Sequence, residues 1–285
     1  MNSKLTDKYL KMKQIEFELF TTDNLKLFGH SWQPDTDAPK ASIALLHGIG
    51  EHIMRYDHWA KKFVSRGYAV TGMDFRGHGR SEGKRGHIPS YESLLQDMDL
   101  LIKKSLEFFP DKPVIPYGHS LGGNIVLNHA LIRENISRYI VTAPWLQLSF
   151  KPSSIKLALA KTMKKILPGL LQPSGLNVEH LSHNPEVVKD YENDPLVHDR
   201  ISVRMFIGAY TRGEWALANA GKLDRSVLLI HGGDDKLTSV DASRRFAEKA
   251  GKNVEFKIWE GMYHELHNEK NRDEVFGYII DWLEK

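Results

Sequence analysis

Along the chain, short apolar runs of strand length alternate with segments whose apolar residues recur every three or four positions. Ile15 to Phe20 and Leu25 to Trp32, joined by the turn-prone Thr22-Asp23-Asn24, read as an opening strand pair. Ser42 to Leu46, Tyr68 to Met73, Val114 to Gly118, Tyr139 to Thr142, Val227 to His231 and Val254 to Trp259 follow. Each is bounded by Gly, Pro or polar residues, as expected of buried parallel strands. Between them, Trp59 to Arg66, Ser93 to Phe109, Gly122 to Leu131, Val240 to Lys249 and Asn271 to Trp282 predict amphipathic helices. Such alternation implies an α/β fold, a mostly parallel central sheet with helices on both faces.

The alternation fails once. From Pro144 to about Gly221 no strand is expected, and Leu, Met and Ile fall on helical periods at Ile155 to Ala160, Met163 to Leu171 and Ile201 to Ala218. The reading is an inserted helical cap over 144–221, between a first core part over 1–143 and a second over 222–285. Extra crossover helices are the plainer alternative, but a connection of this length in a compact domain usually covers a functional site.

Composition narrows the chemistry. With 285 residues, 41% of them hydrophobic, the chain can fill one large core with a small appended element. Its 39 Lys and Arg against 36 Asp and Glu are well mixed, with no basic stripe to support nucleic-acid binding. The absence of cysteine excludes a disulfide framework, a thiolate nucleophile and a Cys-ligated metal. Histidines are scattered, and His47-Gly and His78-Gly belong to loops, so no metal site and no cofactor are expected. Met1 to Lys13 is polar and lacks the apolar stretch of a secretory signal, and no run approaches the roughly 18 apolar residues of a membrane span, which makes a soluble, cytoplasmic protein the expectation.

Candidate chemistry begins at Val114-Ile-Pro-Tyr-Gly118-His119-Ser120-Leu121-Gly122-Gly123, where the pattern G-x-S-x-G stands between a strand and a helix. A sharp strand-to-helix turn lifts Ser120 above the sheet as a nucleophile, and the flanking glycines leave room for the turn. The following helix aims its positive N-terminal end at a forming oxyanion. One oxyanion-hole amide then comes from Leu121. The second comes from the glycine loop His47-Gly48-Ile49-Gly50 after an earlier strand, with Ile49 as the candidate.

In this arrangement an acid and then a histidine follow the serine, each on a loop after a strand. Val227 to His231 leads into Gly232-Gly233-Asp234-Asp235, and Val254 to Trp259 into Glu260-Gly-Met-Tyr-His264-Glu-Leu-His267. The base must reach the serine with one ring nitrogen while the other donates to a carboxylate. His264 stands nearer the strand end than His267. Asp234 and Asp235 cannot both point inward, and the other serves the turn.

His47-Gly-Ile-Gly-Glu51-His-Ile-Met-Arg55-Tyr56, Asp74-Phe-Arg76-Gly-His78-Gly-Arg-Ser-Glu-Gly83, Gly118 to Gly123 and Glu260 to Glu269 together resemble the monoglyceride lipases and related lysophospholipases, members of the α/β-hydrolase fold. The resemblance implies a Ser120, Asp235 and His264 triad with Ile49 and Leu121 as oxyanion hole, and supports Asp235 over Asp234. It also implies that Glu51, Arg55 and His267 lie near the alcohol end of the substrate. A structural network behind the oxyanion loop is the equal alternative. His119 joins them as a substrate-binding candidate, and Asp74 and Arg76 are expected to hold the loop below the elbow by a charge-assisted hydrogen bond.

The expected function is hydrolysis of a monoacylglycerol or similar single-chain lipid ester through an acyl-enzyme, the partner being that small-molecule lipid, with transient contact of the cap with a membrane surface. Lysophospholipase, amide-hydrolase or acyltransferase activity are the alternatives on the same scaffold. The resemblance fades from Pro144 to about Gly221, where substrate choice would be set.

Overall fold

A computed structural model describes residues 12–35 and 38–285; most of the polar segment Met1 to Lys13 lies outside them. The opening strands are β1 (Met12–Phe20) and β2 (Lys26–Pro34), followed by β3 (Ser42–Leu46), β4 (Ala69–Met73), β5 (Val114–His119) and β6 (Arg138–Thr142). Two short strands, β7 (Leu171–Pro173) and β8 (Arg200–Ser202), precede β9 (Ser226–Gly232) and β10 (Val254–Trp259). Eight strands form one sheet in the order β1-β2-β4-β3-β5-β6-β9-β10, and only β2 runs against its neighbours. β3, β4 and β5 are buried at every position, which accounts for their unbroken apolar character.

Helices cover both faces. α2 (Tyr91–Phe108), α3 (Leu121–Ile132), α6 (Val203–Asn219) and α7 (Val240–Ala250) pack Leu94, Met98, Ile125, Met205 and Phe246 against one side. α1 (Asp57–Ser65) and α8 (Arg272–Leu283) place Trp59, Phe63, Phe276 and Ile280 on the other. The chain turns from building one half of the sheet to the other between β3 and β5, and at such a switch point loops diverge and leave a crevice at the carboxyl ends of the strands.

The stretch between β6 and β9 departs from the all-helical expectation. It holds α4 (Ser154–Ile166), α5 (Pro185–Asn193) and α6, but also the antiparallel pair β7 and β8. Leu171 and Ile201, assigned to helical periods, lie on these strands. Pro168 explains the change, since it lacks the N–H that would extend a helix from Met163, and α4 ends at Ile166. α5 was not foreseen, although its start is legible: the Asn184 side chain accepts from Glu186 N at 3.1 Å, and Pro185 takes the first helical position.

Asp74 and Arg76 hold loops, but not through each other. Asp74 accepts from the backbone of Ile53 and of Arg80, each at 2.7 Å. Arg76 makes a two-pronged contact with Asp97 on α2, both bonds 2.6 Å, and reaches Asp23 at 2.9 Å. No helix among the described residues is long and apolar enough to cross a membrane.

Candidate active site

Ser120 sits at the junction of β5 and α3 with φ 54° and ψ −113°, a conformation that costs a non-glycine residue about 1–3 kcal/mol and persists only where the surroundings impose it. Here they do. Ser120 N donates to Thr142 O at 3.1 Å, and Ser120 O accepts from Asn124 N and Trp145 N, each at 3.0 Å. Space is the second constraint: a Cβ on Gly118 would lie 2.3 Å from Gly122 O, and one on Gly122 2.3 Å from Leu46 O.

The loop after β3 is pinned from two sides. His47 Nε2 accepts from Phe75 N at 3.0 Å, so its Nδ1 carries the hydrogen and donates to Gly48 O at 2.7 Å. Gly48 N donates to Glu51 Oε1 at 2.6 Å, and Gly122 N to His47 O at 3.1 Å. Neither the Ile49 nor the Leu121 amide is engaged by an acceptor among the described residues, and both follow the loops that meet at Ser120.

After β9, Asp235 is buried while Asp234 faces solvent. Asp235 Oδ1 accepts from Leu237 N at 2.7 Å and Thr238 N at 3.0 Å. Its Oδ2 accepts from His264 Nδ1 at 2.7 Å, from His231 Nε2 at 2.9 Å and from Thr238 Oγ1 at 2.9 Å. Burial alone would raise this carboxyl, but His264 and His231 outweigh it and hold Asp235 well below the usual carboxylate range. Burial would likewise push His264 down; Asp235 and, more weakly, Glu265 and Glu51 overcome it, so the imidazole titrates above an ordinary histidine. His231 and Thr238 were not singled out from sequence. Their spacing of four before and three after Asp235 is the one available signal.

Ser120, His264, Ile49 and Thr238 share one cavity of about 140 Å³, whose walls include Trp145, Leu148, Phe150, Leu176, Ile201, Phe206 and Leu237. Phe150, Pro152 and Phe206 also border a trough of about 710 Å³ that runs along α4 past Leu157, Leu159 and Met163. On the other side of Ser120 and His264 a narrow pocket of about 10 Å³, room for roughly one water, is lined by Glu51, His119, Leu181, Tyr191 and Glu265.

Of the remaining candidates, Glu51 and His119 therefore face a pocket, whereas Arg55 and His267 line neither. The Arg55 guanidinium bridges Glu51 and Glu265, bonding Glu265 Oε1 at 2.7 Å and Oε2 at 2.8 Å. His267 stacks on Tyr56 with centroids 4.4 Å apart, and burial pushes its imidazole down to about 3. His119, tied to Thr142 Oγ1 at 3.1 Å, is also held well below the usual histidine range, first by burial and then by His264 and His267. Glu51, His119 and Glu265 bring ligand atoms within 4.8 Å of one another. A cation there would compete with the guanidinium that already occupies both carboxylates.

A family model described as "Serine aminopeptidase, S33" matches residues 37–271. An abhydrolase domain-containing protein of Dictyostelium discoideum is 35% identical over 94% of this chain, which spans only 28% of that protein's length. A monoacylglycerol lipase of Mycolicibacterium smegmatis is 33% identical over 88% of this chain and 90% of its own length. The solved monoacylglycerol lipase of Paleococcus ferrophilus superposes with a TM-score of 0.80 at 32% identity, covering 96% of this chain and 98% of its own.

Proposed function

The chain belongs to the serine aminopeptidase S33 family of α/β-hydrolases, and within it to the group of the monoglyceride lipases and related phospholipases, lipid-ester hydrolases; from that premise we propose that it cleaves monoacylglycerols through an acyl-enzyme on Ser120. The observation that carries the reading is a serine in a strained elbow lining the same cavity as a histidine whose Nδ1 is held by a buried carboxylate. With Nδ1–H committed to Asp235, Nε2 of His264 is the nitrogen left to take the Ser120 proton as Oγ attacks the ester carbonyl. The amides of Ile49 and Leu121 receive the developing oxyanion, and His264 returns the proton to the leaving alcohol. Water, activated by the same histidine, then releases the acid.

Pocket chemistry supports a neutral alcohol bearing one acyl chain. The cavity at Ser120 and its continuation along α4 are walled mainly by apolar side chains and would take the chain. The leaving alcohol would lie on the side of the small pocket. That pocket holds two carboxylates, and neither it nor the cavity at Ser120 is lined by Lys or Arg, Lys151 bordering only the outer trough, which disfavours a phosphate head group. The segment 144–221 is then a cap over the site. Exposed Phe150, Ile155, Leu159, Ile166 and Leu167, interspersed with Lys151, Lys161, Lys164 and Lys165, suit transient contact with a lipid surface when substrate is collected.

Ser120→Ala tests the reading. Turnover of 1-monoacylglycerols and of a short p-nitrophenyl ester should fall by several orders of magnitude and fluorophosphonate labelling should vanish. Retained turnover would overturn it.

A further inference from the structure

One oxygen of the Asp235 carboxylate serves two imidazoles. His264 Nδ1 lies 2.7 Å and His231 Nε2 2.9 Å from Oδ2. His231 is the next-to-last residue of β9 and fully buried. A carboxylate oxygen can only accept, so Nε2 of His231 carries its hydrogen, and Nδ1 on the far side of the ring meets Ser243 Oγ of α7 at 2.8 Å. A chain of contacts thus runs from α7 through His231 to Asp235 and on to His264. His231 touches neither Ser120 nor the cavity that Ser120 lines. A ring included only to fill space would need no donor and no serine behind it.

We propose that His231 is a positioning residue: by donating to the oxygen that His264 uses, it disperses the Asp235 charge, limits the basicity of His264 and so sets the acid limb of the pH–rate profile. The inference rests on His264 being the general base. Other groups also face His264: Glu265 and His267 on its own loop, His119 after β5, and Glu51 on the β3 loop, with Arg55 behind the two glutamates. None of them bonds Asp235. His231 is therefore the group whose removal acts on the base through the carboxylate alone, while Thr238 and the backbone keep the carboxylate in place.

Removing a donor from a carboxylate concentrates its charge on those that remain. In His231→Phe, combined with Ser243→Ala so that no buried hydroxyl is stranded, the acid-limb midpoint of kcat/KM should rise by about half to one pH unit. That is a roughly three- to tenfold loss of activity below the midpoint, with little change at alkaline pH. His231→Gln, whose side-chain amide can donate from nearly the same point, should restore the midpoint. If the double variant does not fold, Ser243→Ala alone should move the midpoint in the same direction by a smaller amount, because the ring is then free to turn away from Asp235. A folded variant that loses activity equally at all pH values, or phenylalanine and glutamine variants with the same midpoint, would refute the inference and leave His231 as packing. Ser120→Ala, run alongside, separates the outcomes: residual turnover there sinks the site assignment itself, whereas an inert Ser120→Ala protein with unshifted His231 variants sinks only this step.

Discussion

Arg55→Met isolates the ion cluster that joins the two loops of the site. Methionine approaches the length of the Arg55 stem, so the variant keeps much of the stem's volume while removing the charge and the guanidinium that lies 4.6 Å from the Tyr191 ring. It leaves Glu51 and Glu265 facing each other with side chains 3% and 2% exposed and no cation between them. Breaking a buried pair by deleting one partner costs about 3–5 kcal/mol, because the survivors remain desolvated. With an unfolding entropy of about 2 cal/mol/K per residue, a chain of this length loses about 5–8 °C in Tm. The sign of the pH dependence follows from the carboxyls. Burial, seconded by Glu265, already holds Glu51 above its ordinary value despite Arg55, whereas Arg55 overcomes burial at Glu265 and holds it below. Without the guanidinium both carboxyls move up. A carboxyl raised in the folded state contributes stability below its unfolded pKa and loses it as pH rises through the folded value. The variant should therefore lie closest to wild type in mild acid and fall furthest behind it at neutral pH and above. Catalysis should suffer too, since Glu51 Oε1 holds Gly48 N beside the Ile49 amide and Glu265 adjoins His264. Differential scanning calorimetry from pH 5 to 8 is the assay. A Tm within about 2 °C of wild type, independent of pH, would refute the cluster's structural role.

Asp235→Asn should lower kcat by about four orders of magnitude by presenting the wrong partner to His264 Nδ1, while Asp234→Asn, in solvent, should stay within a factor of a few; steady-state kinetics on a p-nitrophenyl ester distinguishes them. Because the base must be neutral and its neighbours raise it, kcat/KM should fall as pH drops through a midpoint above about 6.5; a midpoint below that value in the wild-type profile would contradict the dominance of Asp235 over burial. Gly122→Ala would thrust a methyl 2.3 Å from Leu46 O and 2.7 Å from His47 O, both rigid backbone, so thermal unfolding should shift down by several degrees and activity should collapse through displacement of the oxyanion loop.

What was legible without coordinates is what local sterics and periodicity control. The strand and helix runs of the core are each decided over five to twenty residues by side-chain alternation. The elbow at Ser120 is written in Gly118 and Gly122, because a Cβ at either position would lie 2.3 Å from a backbone carbonyl oxygen. What tertiary structure alone decided are choices among chemically equivalent partners. Arg76 selects Asp97 and Asp23 rather than Asp74, and Arg55 reaches Glu265 across 210 positions of sequence. The strands β7 and β8 exist only because they pair with each other, and neither three-residue piece has a pattern of its own. The sharing of one Asp235 oxygen by His231 and His264 belongs to the same class. Propensity acts between neighbours in the chain, whereas the pairing of buried charges is settled by which side chains the packed sheet brings to the same few ångströms.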